Sequence, residues 1–176
     1  MKLTPEQKKE YDAYFEELKH DPYILRMKCF VHHHKMRTFD HVVRVAEKAY
    51  QLAQEMPGDF DIKSLLRGAM LHDYYLYNWR DHELWHYHHI KKHPKIAYVN
   101  ACRDFDDLNP TEKDIILHHM WPHPVFAMPK TREAWLVMMA DKIISPRDVF
   151  AKLPKIEESV EQQNAAFLAL PVPSHH

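Results

Sequence analysis

The stretch LLRGAMLHDYYLYNW, residues 65–79, combines a helical apolar stripe with two adjacent polar residues. Leu65, Leu66 and Ala69 recur at the spacing expected for the buried face of an α-helix. His72 and Asp73 follow Ala69 by three and four residues, so both flank that face. Because a buried charge without a partner is strongly unfavourable, the pair predicts a polar centre inside a helical core.

Helical spacing of apolar residues continues over almost the whole chain, and alternating strand-like runs are hard to find. The sequence therefore predicts an all-α fold. Asp40, Asn109 and Thr131 are interpreted as N-terminal caps, whereas Pro57-Gly58 and Pro146 are interpreted as helix ends. The predicted helices cover about residues 5–19, 22–30, 39–56, 61–75, 89–104, 110–121, 131–145 and 154–169.

The composition is that of an ordinary globular protein, with 176 residues, 45% of them hydrophobic and 28% charged. This length predicts one domain over 1–176. The net charge of -1 argues against a surface for duplex nucleic acid, and no apolar run is long enough to predict a membrane span. The first residues lack a signal peptide, and Cys29 and Cys102 do not form a disulfide framework, so we expect a cytoplasmic protein.

Glycine and histidine counts restrict the ways in which this chain can handle phosphate. Only two glycines occur, and neither a GxGxxG nor a GxxxxGK stretch is present. The glycine-rich loops that commonly bind nucleotide phosphates are therefore excluded. Histidine, in contrast, occurs 16 times, so phosphate handling would depend on metal ions and side chains.

Several other predicted helices also direct a titratable side chain toward their apolar face. His41 lies four residues before Val45, Asp141 lies three after Met138, and His119 lies four after Ile115. His118, by its helical phase, turns away toward Asp114. These groups can either satisfy one another as buried ion pairs or share a metal ion, and a metal compensates the buried negative charge more directly.

His41 in DHVVRVAEKAYQLA, the doublet His72-Asp73 in RGAMLHDYYLYNW and Asp141 in MMADKI follow the order H…HD…D. This ordered set resembles the HD-domain metal-dependent phosphohydrolases over about residues 30–150. The stretches HPKIAYVNA and ILHHMWPHP resemble a bacterial branch of these proteins with HP…A and HMWP segments. The resemblance implies a single-domain HD helical bundle, with helices 5–19 and 154–169 packing on the HD core.

The resemblance also implies a metal site holding one or two divalent ions, with iron, manganese, magnesium and zinc as candidates. It assigns His41, His72, Asp73 and Asp141 to the first ion, with Asp73 able to bridge to a second. His93 and His119 match the additional histidines of two-metal members, and His118 is a weaker candidate because its helical phase differs. The branch often has an acid where this chain has Asn78.

The activity implied by the resemblance is hydrolysis of a small phosphorylated substrate such as a nucleotide, by a metal-activated water. Asp73 is a candidate proton acceptor, and Lys142 and Arg147 are candidate cations for the phosphoryl oxygens. Two alternatives remain open: a metal-containing ligand-binding or regulatory module without turnover, and a di-iron oxygenase-type site. The oligomeric state is not indicated by the sequence.

The remaining histidines and aromatic residues permit more than one interpretation. His82, His86 and His89 share a possible helix face and can bind metal by themselves, but a position at the pocket mouth or in solvent is favoured for most of residues 82–89. Of His32, His33 and His34, one can reach the pocket. His175 and His176 are interpreted as a tag remnant. The aromatic residues of segment 74–79 can stack on a nucleobase, but core packing is favoured.

Overall fold

A computed structural model describes residues 3–32, 36–77 and 83–150, with the side chains of residues 83–90 and 150 excepted. Within these ranges every regular element is a helix, apart from one isolated bridge between Val31 and Arg37. The α-helices are α1 (Pro5–His20), α2 (Pro22–Leu25), α3 (Thr38–Glu55), α4 (Ile62–Leu71), α5 (Glu83–Asp104), α6 (Pro110–His118) and α7 (Arg132–Phe150), and a 3-10 turn (Arg26–Cys29) follows α2. The predicted all-α fold is confirmed.

Helix α3 is the centre of the bundle and packs against both α4 and α7. Its stripe of Val42, Val45, Ala46 and Ala49 is fully buried, as the sequence pattern predicts. Around this stripe a single hydrophobic core collects side chains from α1, α2, α4, α5, α6 and α7. Burial of this stripe fixes the rotation of α3, and hence the direction of its polar residues.

The start of α3 differs from the prediction that Asp40 caps the helix. The helix begins at Thr38, and Asp40 lies within its first turn. The backbone N–H of Thr38 donates to the carbonyl of Phe30 at 2.9 Å, and the N–H of His32 donates to the carbonyl of Met36 at 2.8 Å. These backbone hydrogen bonds between residues 30–32 and 36–38 therefore set the start of α3, since no side chain caps it.

Helices α4 and α6 approach each other closely at Gly68. A Cβ atom at this position would lie 2.4 Å from Cδ1 of Ile115, so any other residue would require the Ile115 side chain to shift. Helix α4 ends at Leu71, and the prediction that it extends to residue 75 was wrong because the chain turns at residues 72–73. His72 and His119 each follow the last residue of their helix, so the close packing brings both helix ends together.

Two prolines lie inside helices and change the predicted boundaries. Helix α5 begins at Glu83 rather than near 89, and it continues through Pro94. Helix α7 was predicted to end before Pro146, but it continues to Phe150. A proline removes one backbone hydrogen bond, and packing on both sides of it can hold the helix together. The predicted caps Asn109 on α6 and Thr131 on α7 accept hydrogen bonds as expected, although α6 ends at residue 118, earlier than predicted.

The tyrosines that follow His72-Asp73 pack in the core, as the favoured interpretation predicts. Tyr74 and Tyr75 are almost fully buried. The hydroxyl of Tyr74 donates to the carbonyl of Tyr23 at 3.1 Å and to Asp104 Oδ2 at 2.9 Å. The predicted helix 154–169, the segment 78–82 and His175-His176 lie outside the described residues. Among the helices that are described, none has the length and hydropathy needed to cross a bilayer.

Candidate metal centre

Five helices bring the six predicted metal-binding residues into one buried cluster. His41 comes from α3, His72 and Asp73 from the end of α4, His93 from α5, His119 from the end of α6, and Asp141 from α7. Each of the six is at most 8% exposed. The cluster therefore lies inside the bundle, although its members are distant in sequence.

The carboxylate of Asp73 occupies the middle of this cluster. Four imidazole Nε2 atoms surround its two oxygens, at distances of 3.3 Å for His93, 3.6 Å for His72, 3.6 Å for His119 and 3.7 Å for His41. Asp141 contacts the same nitrogen of His41 as Asp73 does, with Oδ1 at 3.3 Å from Nε2. Two negative groups and four imidazoles thus converge on one small volume.

The Nδ1 atoms of His72 and His119 face away from Asp73 and fix the tautomers of these two rings. Nδ1 of His72 lies 2.6 Å from the carbonyl of Ala69, and Nδ1 of His119 lies 2.9 Å from the carbonyl of Ile116. Because a carbonyl only accepts, Nδ1 carries the proton in both rings. In the neutral rings Nε2 therefore carries a lone pair and can only accept a hydrogen bond. This lone pair faces the carboxylate of Asp73, which can also only accept.

This arrangement of acceptors leaves buried polar atoms without hydrogen bonds. Nε2 of His41, Nε2 of His72 and Oδ1 of Asp73 are buried and have no such partner among the described residues. Neutral imidazoles and carboxylates are the usual ligands of divalent cations, so the donor set fits a metal ion. The ligand atoms lie within 4.8 Å of one another in three groups: His32, His41 and Asp73; His41, His72 and Asp141; and His72, Asp73 and His119.

Asp148 supports this cluster and was missed by the sequence analysis. Its Oδ2 lies 2.7 Å from Nδ1 of His41, and its other carboxylate oxygen pairs with Arg44. A carboxylate that accepts from the outer nitrogen of a metal-binding histidine fixes the ring and makes it a better ligand. Asp148 follows Asp141 by two helical turns, so it would have been found if Pro146 had not been interpreted as the end of α7.

His32 is the member of the His32–His34 run that the structure places at the cluster. It is 7% exposed, and its ring stacks on His41 with 3.8 Å between centroids. Its Nδ1 lies 3.4 Å from Asp73 Oδ2 and 3.2 Å from the hydroxyl of Tyr75. His33, His34 and the side chains of residues 82–89 lie outside the described residues.

The other three predicted site residues lie outside the cluster. His118 Nδ1 pairs with Asp114 at 2.6 Å, in agreement with the side of the helix predicted for it. The Nζ atom of Lys142 lies 3.5 Å from the carbonyl of His119, so the ammonium is beside the cluster. Arg147 is exposed, and no contact between described side chains joins it to the cluster.

Burial and neighbouring charges set the protonation of the metal-free centre. Burial lowers the pKa of His41, but Asp141 and Asp148 outweigh it and raise this pKa to about 9. Burial and two neighbouring imidazoles lower the pKa of His119 to about 3. Burial raises the pKa of Asp73, but the surrounding imidazoles outweigh it and hold the pKa well below its usual value. A divalent cation would therefore meet ionised carboxylates and would displace a proton from His41.

A helical bundle with a buried centre of imidazoles and carboxylates defines a class of helical domains whose centre could hold a metal ion. The HD domain family model matches residues 38–145, which is more than half of the chain. The chain therefore belongs to the HD domain family, and the resemblance to HD domains seen in the sequence is confirmed. Members of this family are typically metal-dependent phosphohydrolases. No curated protein and no solved structure matches the chain.

Proposed function

We propose that this protein is a metal-dependent phosphohydrolase that cleaves a small phosphate ester, with nucleotides among the candidate substrates. One observation carries the proposal. Within a member of the HD domain family, four imidazole Nε2 atoms face the buried carboxylate of Asp73 at 3.3 to 3.7 Å. This set of acceptors is stable together only when a cation or protons lie between them.

The proposed ligands of one ion are His41, His72, Asp73 and Asp141. The proposed ligands of a second ion are His93, His119 and Asp73, whose two carboxylate oxygens would allow it to serve both ions. Contacts outside the cluster support this assignment, because they hold the ligands in place before an ion arrives. Besides the hydrogen bonds of the imidazole Nδ1 atoms, Ser145 Oγ donates to Asp141 Oδ1 at 2.6 Å. Such outer contacts raise metal affinity by reducing the reorganisation that binding requires.

A bound divalent ion supplies a water of lowered pKa and neutralises charge on the phosphoryl oxygens. The chain's own residues would do the remaining work. The carboxylate of Asp73 is the proposed acceptor for the proton of the attacking water. Lys142, whose Nζ lies 3.5 Å from the carbonyl of His119, is the proposed cation for the phosphoryl oxygens. Arg147, five residues further along α7, is a second candidate for this role.

The proposal is tested by measuring metal content and phosphatase activity on the same untagged preparation. Manganese, iron, magnesium and zinc are each supplied to the metal-free protein, and phosphate release is screened across nucleotides and sugar phosphates. We expect release with at least one substrate class, and we expect His72→Ala and Asp73→Ala to lose both metal and activity. Exposed His20, far from the cluster in sequence, provides the control variant His20→Ala.

The two alternative functions correspond to different results of this experiment. Bound metal without turnover of any ester would favour a ligand-binding or regulatory module. Oxygen consumption by the iron-loaded protein would favour an oxygenase-type reaction. Absence of any metal after gentle purification, together with failure to take up added metal, would contradict the metal centre itself.

A further inference from the structure

We infer that His32 is an additional ligand of the metal centre and gives the ion at His41 a fifth protein ligand. His32 lies before the residues matched by the HD domain family model, which begin at residue 38. The inference rests on the metal centre of the proposed function. It concerns the number of ligands at each ion position, and hence the position that remains open to substrate.

The local backbone holds His32 against the first turn of α3. The N–H of His32 donates to the carbonyl of Met36 at 2.8 Å, and Thr38 returns a hydrogen bond to Phe30 at 2.9 Å. These two hydrogen bonds join residues 30–32 to residues 36–38 and direct the His32 ring into the bundle. The ring stacks on His41 with an interplanar angle of 19° and 3.8 Å between centroids. His32 is therefore buried beside a proposed ligand.

Counting ligand atoms shows which ion His32 would bind. The Nδ1 atoms of His41 and His72 are engaged by Asp148 and Ala69, so each ring has only Nε2 available. A single Nε2 lone pair binds one ion. His32 shares a group with His41 and Asp73, so it would bind the ion that His41 binds. With the four ligands proposed above for that ion, its protein ligands would be three imidazoles and two carboxylates: His32, His41, His72, Asp73 and Asp141.

The second position has fewer ligands from the chain. His93 Nε2 and His119 Nε2 lie 2.9 Å apart, and both are close to Asp73 Oδ1. Three protein ligands at this position, against five at the other, leave more coordination sites for water and substrate here. Five nitrogen and oxygen ligands also exceed the four of tetrahedral zinc sites, so a metal that accepts five or six ligands fits the first position better.

The inference is tested by titrating cobalt(II) into metal-free wild type, His32→Ala and His32→Phe, with calorimetry and visible absorption as readouts. We expect two binding events of unequal affinity in the wild type. Both variants should weaken the tighter event by about tenfold or more, since even loss of an outer contact to a metal ligand costs about 10–100-fold. The weaker event should be unchanged. Cobalt absorption at the first equivalent should become more intense, because cobalt with fewer ligands absorbs more strongly.

The phenylalanine variant separates ligation from stacking, because its ring can stack on His41 but has no nitrogen. Wild-type cobalt affinity and spectrum in His32→Phe would overturn the inference and leave the metal centre intact. Imidazole added to His32→Ala should restore the tight event. A loss of affinity that imidazole does not restore, with a lower unfolding temperature of the metal-free variant, would also overturn it. Failure of wild type to bind cobalt would overturn the inference and the proposed function together. His20→Ala, whose side chain is 71% exposed, should behave as wild type.

Discussion

Asp73 and Asp114 are both buried carboxylates, but their surroundings differ completely. Asp114 accepts hydrogen bonds from the N–H of Thr131 at 2.7 Å, its hydroxyl at 2.8 Å and the N–H of Lys130 at 2.9 Å, and pairs with His118 at 2.6 Å. Asp73 instead faces the Nε2 atoms of four imidazoles at 3.3 to 3.7 Å. Asp114 therefore has its partners within the chain, whereas Asp73 requires a cation or protons.

The difference shows that burial of a carboxylate does not by itself identify a functional site. Donors from the segment before α7 surround Asp114, so its role is to fix that segment to α6. Around Asp73 the Nε2 atoms of His72 and His119 are acceptors, because the outer nitrogens of these two rings carry the protons. The nature of the surrounding groups, donors or acceptors, separates a structural carboxylate from a candidate metal ligand.

The largest expected effect is that of Asp73→Asn. The amide keeps the size of the side chain but removes the charge at the middle of the cluster. We expect metal affinity and phosphate release to fall by at least about a hundredfold, since the proposed bridging ligand is lost. Metal content by mass spectrometry and phosphate release measure the two effects. Full metal content in this variant would contradict the proposal that Asp73, unlike Asp114, binds metal.

Asp114→Asn should give the opposite result, with bound metal retained and stability lost. Hydrogen bonds to a charged group contribute about 1.5–3 kcal/mol each, so we expect the free energy of unfolding to fall by about 3 kcal/mol. Urea unfolding of the metal-free proteins measures this change. Loss of metal without loss of stability would contradict the structural role.

The loss of stability in Asp114→Asn is expected to depend on pH. Burial raises the pKa of Asp114, but hydrogen bonds from Thr131, His118 and Lys130 outweigh it and hold the pKa below its usual value. A carboxyl whose pKa is lowered by folding stabilises the protein above its unfolded pKa, and this contribution is lost as the pH falls through the folded pKa. The difference in stability between wild type and Asp114→Asn should therefore be full at neutral pH and decrease in acid.

Asp148→Asn tests whether the carboxylate behind His41 acts through that ring. The amide oxygen can still accept from Nδ1, but the charge that makes the imidazole a better ligand is removed. We expect metal affinity to fall by about 10–100-fold. Metal titration measures the affinity, and Asp107→Asn is the control because Asp107 is 68% exposed and pairs with Arg67. An unchanged affinity in Asp148→Asn would restrict Asp148 to a structural role.

The smallest expected effect is that of His118→Ala, which tests whether His118 and its neighbour His119 have different roles. His118→Ala removes one hydrogen bond to Asp114 and should lower the free energy of unfolding by about 1.5 kcal/mol, with metal content unchanged. His119→Ala should lose metal, because its Nε2 faces Asp73. Metal content and urea unfolding of the two variants measure the contrast. If His118→Ala lost as much metal as His119→Ala, His118 would belong to the metal centre.

The sequence predicted five of the six clustered residues from helical spacing, because the direction of a side chain on a helix is a local property, whereas His93 was predicted only from the family resemblance. Once an apolar stripe is buried, residues three and four positions away lie on the same face. This reasoning placed His41 and Asp141 inward and separated His118 from His119, and the structure agrees. The sequence reasoning failed where a helix boundary was predicted incorrectly, as at Pro146, which concealed Asp148.

His32 marks a second limit of the sequence reasoning. Three consecutive histidines outside a helix have no helical phase, so the sequence could not decide among them. The backbone pairing of residues 30–32 with residues 36–38 decides the direction of His32. Residues whose direction depends on such pairing cannot be assigned from local periodicity.

By itself the sequence therefore determined an all-α fold, the faces that are buried and the polar residues that those faces carry inward. These properties follow from the helical repeat and from the cost of exposing apolar surface. Only the tertiary structure decided which groups meet. The close approach of α4 and α6 at Gly68 brings His72 and His119 together. Whether a buried carboxylate finds donors, as Asp114 does, or acceptors, as Asp73 does, depends on distances between helices that no local pattern encodes.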